Sequence, residues 1–102
     1  MNYTIEKLTT LIGARRYGDS DASIGFILTD SRSLCFPEET LFFALKSDRN
    51  DGHNYIPELY RRGVRNFVVS EVPMGWASDY PEANFLKVVN TLEALQRLAE
   101  RH

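Results

Sequence analysis

Apolar positions along the chain follow two rhythms, and their alternation predicts the elements. Ile5, Leu8, Leu11 and Ile12 recur at helical spacing and predict a helix over residues 2–13, with Thr4 as its cap and Gly13 as its stop. Residues 14–23 are polar, with Gly18 and two aspartates, and read as a loop or a short strand with a turn. Residues 24–29 are rich in β-formers and predict a strand that runs straight into Asp30-Ser31-Arg32. Pro37 and two glutamates mark residues 33–40 as a turn. The unbroken run Leu41-Phe42-Phe43-Ala44-Leu45 has strand length and predicts a strand buried on both faces, so Phe42 and Phe43 are read as core.

A polar loop over 46–52 follows, ending in Asp51-Gly52. Tyr55, Ile56, Leu59 and Tyr60 then share a helical face. Pro57 sits in the first turn, and Arg61-Arg62 and Gly63 suit the helix end. Residues 67–70 predict a strand, 72–83 a loop with Pro73, Gly75 and Pro81, and 85–89 another strand. Asn90 or Thr91 caps a last helix whose apolar face is Leu92, Leu95, Leu98 and Ala99. This order predicts one α/β domain over 1–102, a small mainly parallel or mixed sheet with about three flanking helices. In such sheets ligands bind beyond the carboxyl ends of strands. The loops at 29–32 and 46–53 therefore belong near one another at one sheet edge.

Composition narrows the functional classes. A net charge of −2 disfavours a general nucleic-acid or membrane surface, yet Arg32, Lys46 and Arg49 lie close in sequence and suit a local anion. One cysteine, Cys35, excludes an internal disulfide and reads as a small buried hydrophobe. Neither the histidines nor the cysteine have metal-ligand spacing, no run is long enough to span a membrane, and a cytoplasmic protein is the simplest expectation. The forks of Arg32 and Arg49, the Ser31 hydroxyl, Asp48 and Asn50 suit a nucleotide or sugar phosphate. The alternative is that Asp30–Arg32 and Asp48–Arg49 are ion pairs that order loops. Asp51-Gly52-His53 reads either as a carboxylate–imidazole pair or as the turn that starts the next helix. Trp76 and Tyr80 are either a contact patch or a lid on the core. No Gly-Lys-Ser/Thr phosphate loop is present.

Asp30-Ser31-Arg32, Leu41 to Lys46, Arg49, Asp51-Gly52-His53, Tyr55-Ile56, Gly63-Val64 and Val68-Val69 together resemble the N-terminal domain of the Mur ligases. These ATP-dependent enzymes build the peptide stem of peptidoglycan. The pattern is most similar to the branch that adds D-Ala-D-Ala to UDP-N-acetylmuramoyl-tripeptide, and the branch adding the third stem residue shares it. The resemblance implies a domain that binds the UDP moiety of a UDP-N-acetylmuramoyl-peptide through Thr29, Ser31, Asp48, Arg49 and Asn50, with Arg32 and Lys46 near the diphosphate. It implies no catalytic, metal or cofactor residue within these 102 residues. ATP, Mg2+ and D-Ala-D-Ala would be handled by further domains of a longer parent, of which the type fused to alanine racemase is one. Ser47 departs from the family's usual glycine, and a need for positive φ there would strain it.

Overall fold

The computed structural model describes residues 2–101. Its main sheet has the strands β2 (Arg15–Tyr17), β4 (Phe26–Leu28), β5 (Thr40–Phe43), β6 (Asn66–Val69) and β7 (Asn84–Lys87) in the order β2-β7-β6-β5-β4. β4 to β7 run parallel, and β2 closes one edge antiparallel to β7. The helices are α1 (Ile5–Leu11), α2 (Ile56–Arg61), the single turn α3 (Trp76–Asp79) and α4 (Thr91–Arg101). The expected mixed α/β sheet is therefore present, with one more short helix than the sequence predicts.

Alternation along each strand builds a core on both faces. Phe42, Phe67 and Phe85 face α2 and α3 with Ile56 and Leu59, whereas Leu41, Phe43, Val68 and Leu86 face α1 and α4 with Ile5, Leu8 and Leu98. Register aligns Leu28, Phe42, Phe67, Phe85 and Tyr17 in one row across the sheet. Within that row Phe67 and Phe85 stack with centroids 5.3 Å apart, a geometry that adds about 0.5–1.5 kcal/mol beyond buried area.

Several expectations need correction. Helix α1 is shorter than 2–13, because Tyr3–Thr4 (β1) pairs antiparallel with Ser23–Ile24 (β3) in a second small sheet. Thr4 does cap α1, accepting from the Lys7 N–H at 3.1 Å. The predicted strand over 24–29 breaks at Gly25, whose N–H bonds to Glu39 O instead. Cys35 is exposed rather than buried. On α4 the buried residues are Thr91, Ala94 and Leu98, so the apolar face is rotated and Leu92 is 51% exposed. The rotation follows from two contacts at the start of the helix. Asn90 Oδ1 caps it by accepting from Glu93 N–H, and the Thr91 hydroxyl donates to Ala44 O at 3.0 Å.

Candidate functional site

The carboxyl ends of β4 and β5 carry the two polar loops, and the structure brings them together. Asp30 ends the extended segment and caps a 3-10 turn at Ser31–Ser33 by accepting from the Arg32 N–H at 2.9 Å. The Arg32 guanidinium donates to both carboxylate oxygens, at 2.8 Å from Nη2 and 3.1–3.2 Å from Nε. These bonds, side-chain first and backbone second, hold the Asp30 carboxyl down at about 2. The loop-ordering ion pair is thus present here, although Arg32 remains 88% exposed and free to share its fork. From below, Arg62 Nη1 donates to Ser31 O at 2.9 Å and ties the turn to the end of α2.

The second loop is a tight hairpin. Lys46 bridges to Asp51, Gly52 N–H donates to Leu45 O, and Ser47 N–H donates to Asn50 O at 2.7 Å. Ser47 does not adopt positive φ, so the serine costs no backbone strain. Gly52 is needed for closeness instead: a Cβ there would lie 2.8 Å from Leu45 N and 2.9 Å from Ala44 Cα. Asp51 accepts from the His53 N–H at 2.9 Å and from His53 Nδ1 at 2.7 Å. These two bonds, with Lys46 nearby, lower its carboxyl below the ordinary value.

His53 Nε2 accepts the Ser70 backbone N–H at 3.1 Å, with the Ser70 hydroxyl at 3.4 Å. Acceptance at Nε2 places the ring proton on Nδ1, facing Asp51. Aspartate, histidine and serine are therefore aligned in sequence as in a hydrolytic triad, but the lone pair that would take a hydroxyl proton is filled by a backbone N–H. The trio latches the second loop onto the end of β6.

Between the loops lie two adjoining hollows. One, of about 440 Å³, is lined by Thr29, Asp30, Ser31, Arg32, Asn50 and Tyr55. The other, of about 360 Å³, is lined by Thr29, Asn50 and Tyr55 again, with Lys46, Ser47, Gly52 and an apolar end at Leu45 and Leu92. The shared residues make them one cleft with a charged end and an apolar end. Of the residues singled out from the sequence, Thr29, Ser31, Arg32, Lys46 and Asn50 line this cleft. Asp48 and Arg49 do not. They occupy the exposed tip of the hairpin and form no ion pair with each other.

Tyr55 is the residue that sequence reasoning missed. Helical periodicity groups it with Ile56, but it belongs to the 3-10 turn Gly52–Tyr55 and projects from the core side into the cleft. Its hydroxyl donates to Asn50 Oδ1 at 3.0 Å, leaving the Asn50 amide protons for a ligand acceptor. Periodicity carried no signal for this, because adjacent helical positions about 100° apart can share one apolar face.

Comparisons with known proteins bear on the whole fold. The profile described as "Mur ligase family, catalytic domain" matches residues 23–102. The chain is similar in structure to the UDP-N-acetylmuramoylalanyl-D-glutamyl-2,6-diaminopimelate–D-alanyl-D-alanyl ligase of Acinetobacter baumannii, with a TM-score of 0.79 and 27% identity over 96% of this chain and 21% of that one. Two crystal structures of MurF from the same organism give TM-scores of 0.79 and 0.80 at 27% and 26% identity, over 96% of this chain and 20% of each. This chain thus spans about a fifth of the length of those proteins. No curated protein matched in a sequence search.

Proposed function

The chain belongs to the Mur ligase family, and from that premise we propose that it is the substrate-anchoring domain of a peptidoglycan ligase. It holds the UDP moiety of UDP-N-acetylmuramoyl-tripeptide while a longer parent adds D-Ala-D-Ala. The observation that carries this reading is the single cleft lined by Thr29–Arg32 together with Lys46, Ser47 and Asn50 at the carboxyl ends of adjacent parallel strands. The charged hollow offers hydroxyls from Thr29 and Ser31 and the Arg32 fork, and the adjoining hollow adds the Lys46 ammonium; together these suit a diphosphate. The Asn50 amide protons and the Tyr55 ring suit a planar base with exocyclic oxygens.

The likeness to a ligase of D-alanyl-D-alanine favours that branch over the one adding the third stem residue. Chemistry lies outside this chain in our reading. The matched segment has no glycine-rich loop ending in Gly-Lys-Ser/Thr, so ATP and Mg2+ would be held by other parts of the parent. The domain's contribution is placement, in which binding a remote part of the substrate orients the reacting end.

Isothermal titration of the chain with UDP tests this. Ser31→Ala and Asn50→Ala should each weaken binding by about three- to tenfold, the range of one lost hydrogen bond. Variants that bind UDP as the parent chain does would refute the assignment.

A further inference from the structure

At the opposite end of the sheet, the amino ends of β5, β6 and β7 enclose a hollow of about 410 Å³ that the UDP reading leaves unused. Asp21, Glu38, Glu39 and Glu82 line it, against Arg65 in the lining and Arg16 at its edge, where Arg16 is spent on Ser20 O and Asn84 Oδ1. Arg65 is already engaged: it donates to Tyr60 O at 2.8 Å and to Val64 O, and its guanidinium lies 3.9 Å from the Tyr60 ring centroid. Among the described residues none of the four carboxylates is in an ion pair.

A second, independent feature points to a ligand. Asn66, 1% exposed, lines the same hollow, and its Nδ2 has no hydrogen-bond partner. Its Oδ1 is committed, because Asn84 Nδ2 donates to it at 3.0 Å while Arg16 fixes Asn84 through Oδ1. A buried donor left unmade costs free energy, and an oxygen acceptor from outside would recover it. Glu82 is also the one non-glycine residue at positive φ among those described, 68°, and it lines an adjoining hollow of about 450 Å³ with Asp19, Trp76 and Tyr80. Carboxylates beside aromatic rings attract a cationic side chain through both charge and ring face.

The geometry points to a docking site for a basic peptide segment of a partner protein. One lysine or arginine side chain lies between Trp76, Tyr80 and Glu82, a second meets Glu38 and Glu39, and a main-chain carbonyl between them accepts from Asn66 Nδ2. The site is independent of the UDP cleft. Charge complementarity selects a basic partner.

Titration of the 15N-labelled chain with acetyl-Lys-Arg-Lys-amide tests it. The Asn66 side-chain amide and the Trp76 indole N–H should shift together and saturably, and binding should weaken as salt rises. Glu38→Gln with Glu39→Gln, both exposed and outside the cleft, should lower affinity by about fivefold or more while UDP titrations are unchanged. Four results would each overturn the proposal. These are no shift at millimolar peptide, shifts that bypass Asn66 and Trp76, unchanged affinity in the double variant, or the same shifts from magnesium chloride alone.

Discussion

Removing the Asp51 carboxylate should loosen the hairpin that forms half of the cleft. Asp51 makes two bonds to His53, one capping the 3-10 turn and one fixing the imidazole that also accepts from Ser70. Loss of a capping side chain costs about 1 kcal/mol. A hydrogen bond to a charged group adds about 1.5–3 kcal/mol, discounted here because Asp51 is about a third exposed. Asp51→Ala should therefore lose about 2 kcal/mol. With a urea m-value of about 1–2 kcal/mol/M, the unfolding midpoint falls by about 1–2 M.

Asp51→Asn separates the two effects. Asparagine caps as well as aspartate, so this variant keeps the turn and loses only the charge, at about half the cost. Urea unfolding followed by circular dichroism measures both. Equal losses in the two variants would show that charge and not capping holds the loop. An Asp51→Ala variant within about 0.5 kcal/mol of the parent chain would refute the latch.

Gly52→Ala forces a Cβ within 2.9 Å of the Ala44–Leu45 backbone just beyond β5, so thermal unfolding should show a loss of about 1–3 kcal/mol, and UDP binding should fall with it. Glu82→Gly relieves a left-handed residue and should gain about 1 kcal/mol, raising the melting temperature by about 4–8 °C while weakening the basic peptide. The Asp30 carboxyl, held at about 2 against an ordinary 3.8, contributes stability that is present above pH 3.8 and is lost as pH falls through 2. Carbon-detected NMR titration of Asp30 reads that value directly, and in Arg32→Ala it should return toward 3.8.

Much of this architecture was legible because burial imposes a period. The apolar run Leu41 to Leu45 matched a strand buried on both sides, and Ile56 with Leu59 matched a helix face. What period could not show depends on contacts distant in sequence. β2 is polar on its exposed side, and its pairing with β7 is visible only in three dimensions. The α4 face is turned by the Asn90 cap together with a hydrogen bond from Thr91 to Ala44, 47 residues away. The same holds for the cleft. Ser31, Arg32, Lys46 and Asn50 were marked by residue chemistry and Thr29 by the family resemblance, whereas Tyr55 entered through a 3-10 turn and Leu92 through the rotated face of α4, neither of which composition signals. Arg49 has the right chemistry but sits at the exposed hairpin tip, outside the cleft lining.

Titrating the 15N-labelled chain with UDP-N-acetylmuramoyl-tripeptide shows whether the two loops form one UDP-binding edge. If they do, amide shifts should converge on Ser31, Arg32, Asn50 and Tyr55, with the Asn50 side-chain amide among the largest. Shifts confined to the opposite end of the sheet, or none at millimolar ligand, would contradict it.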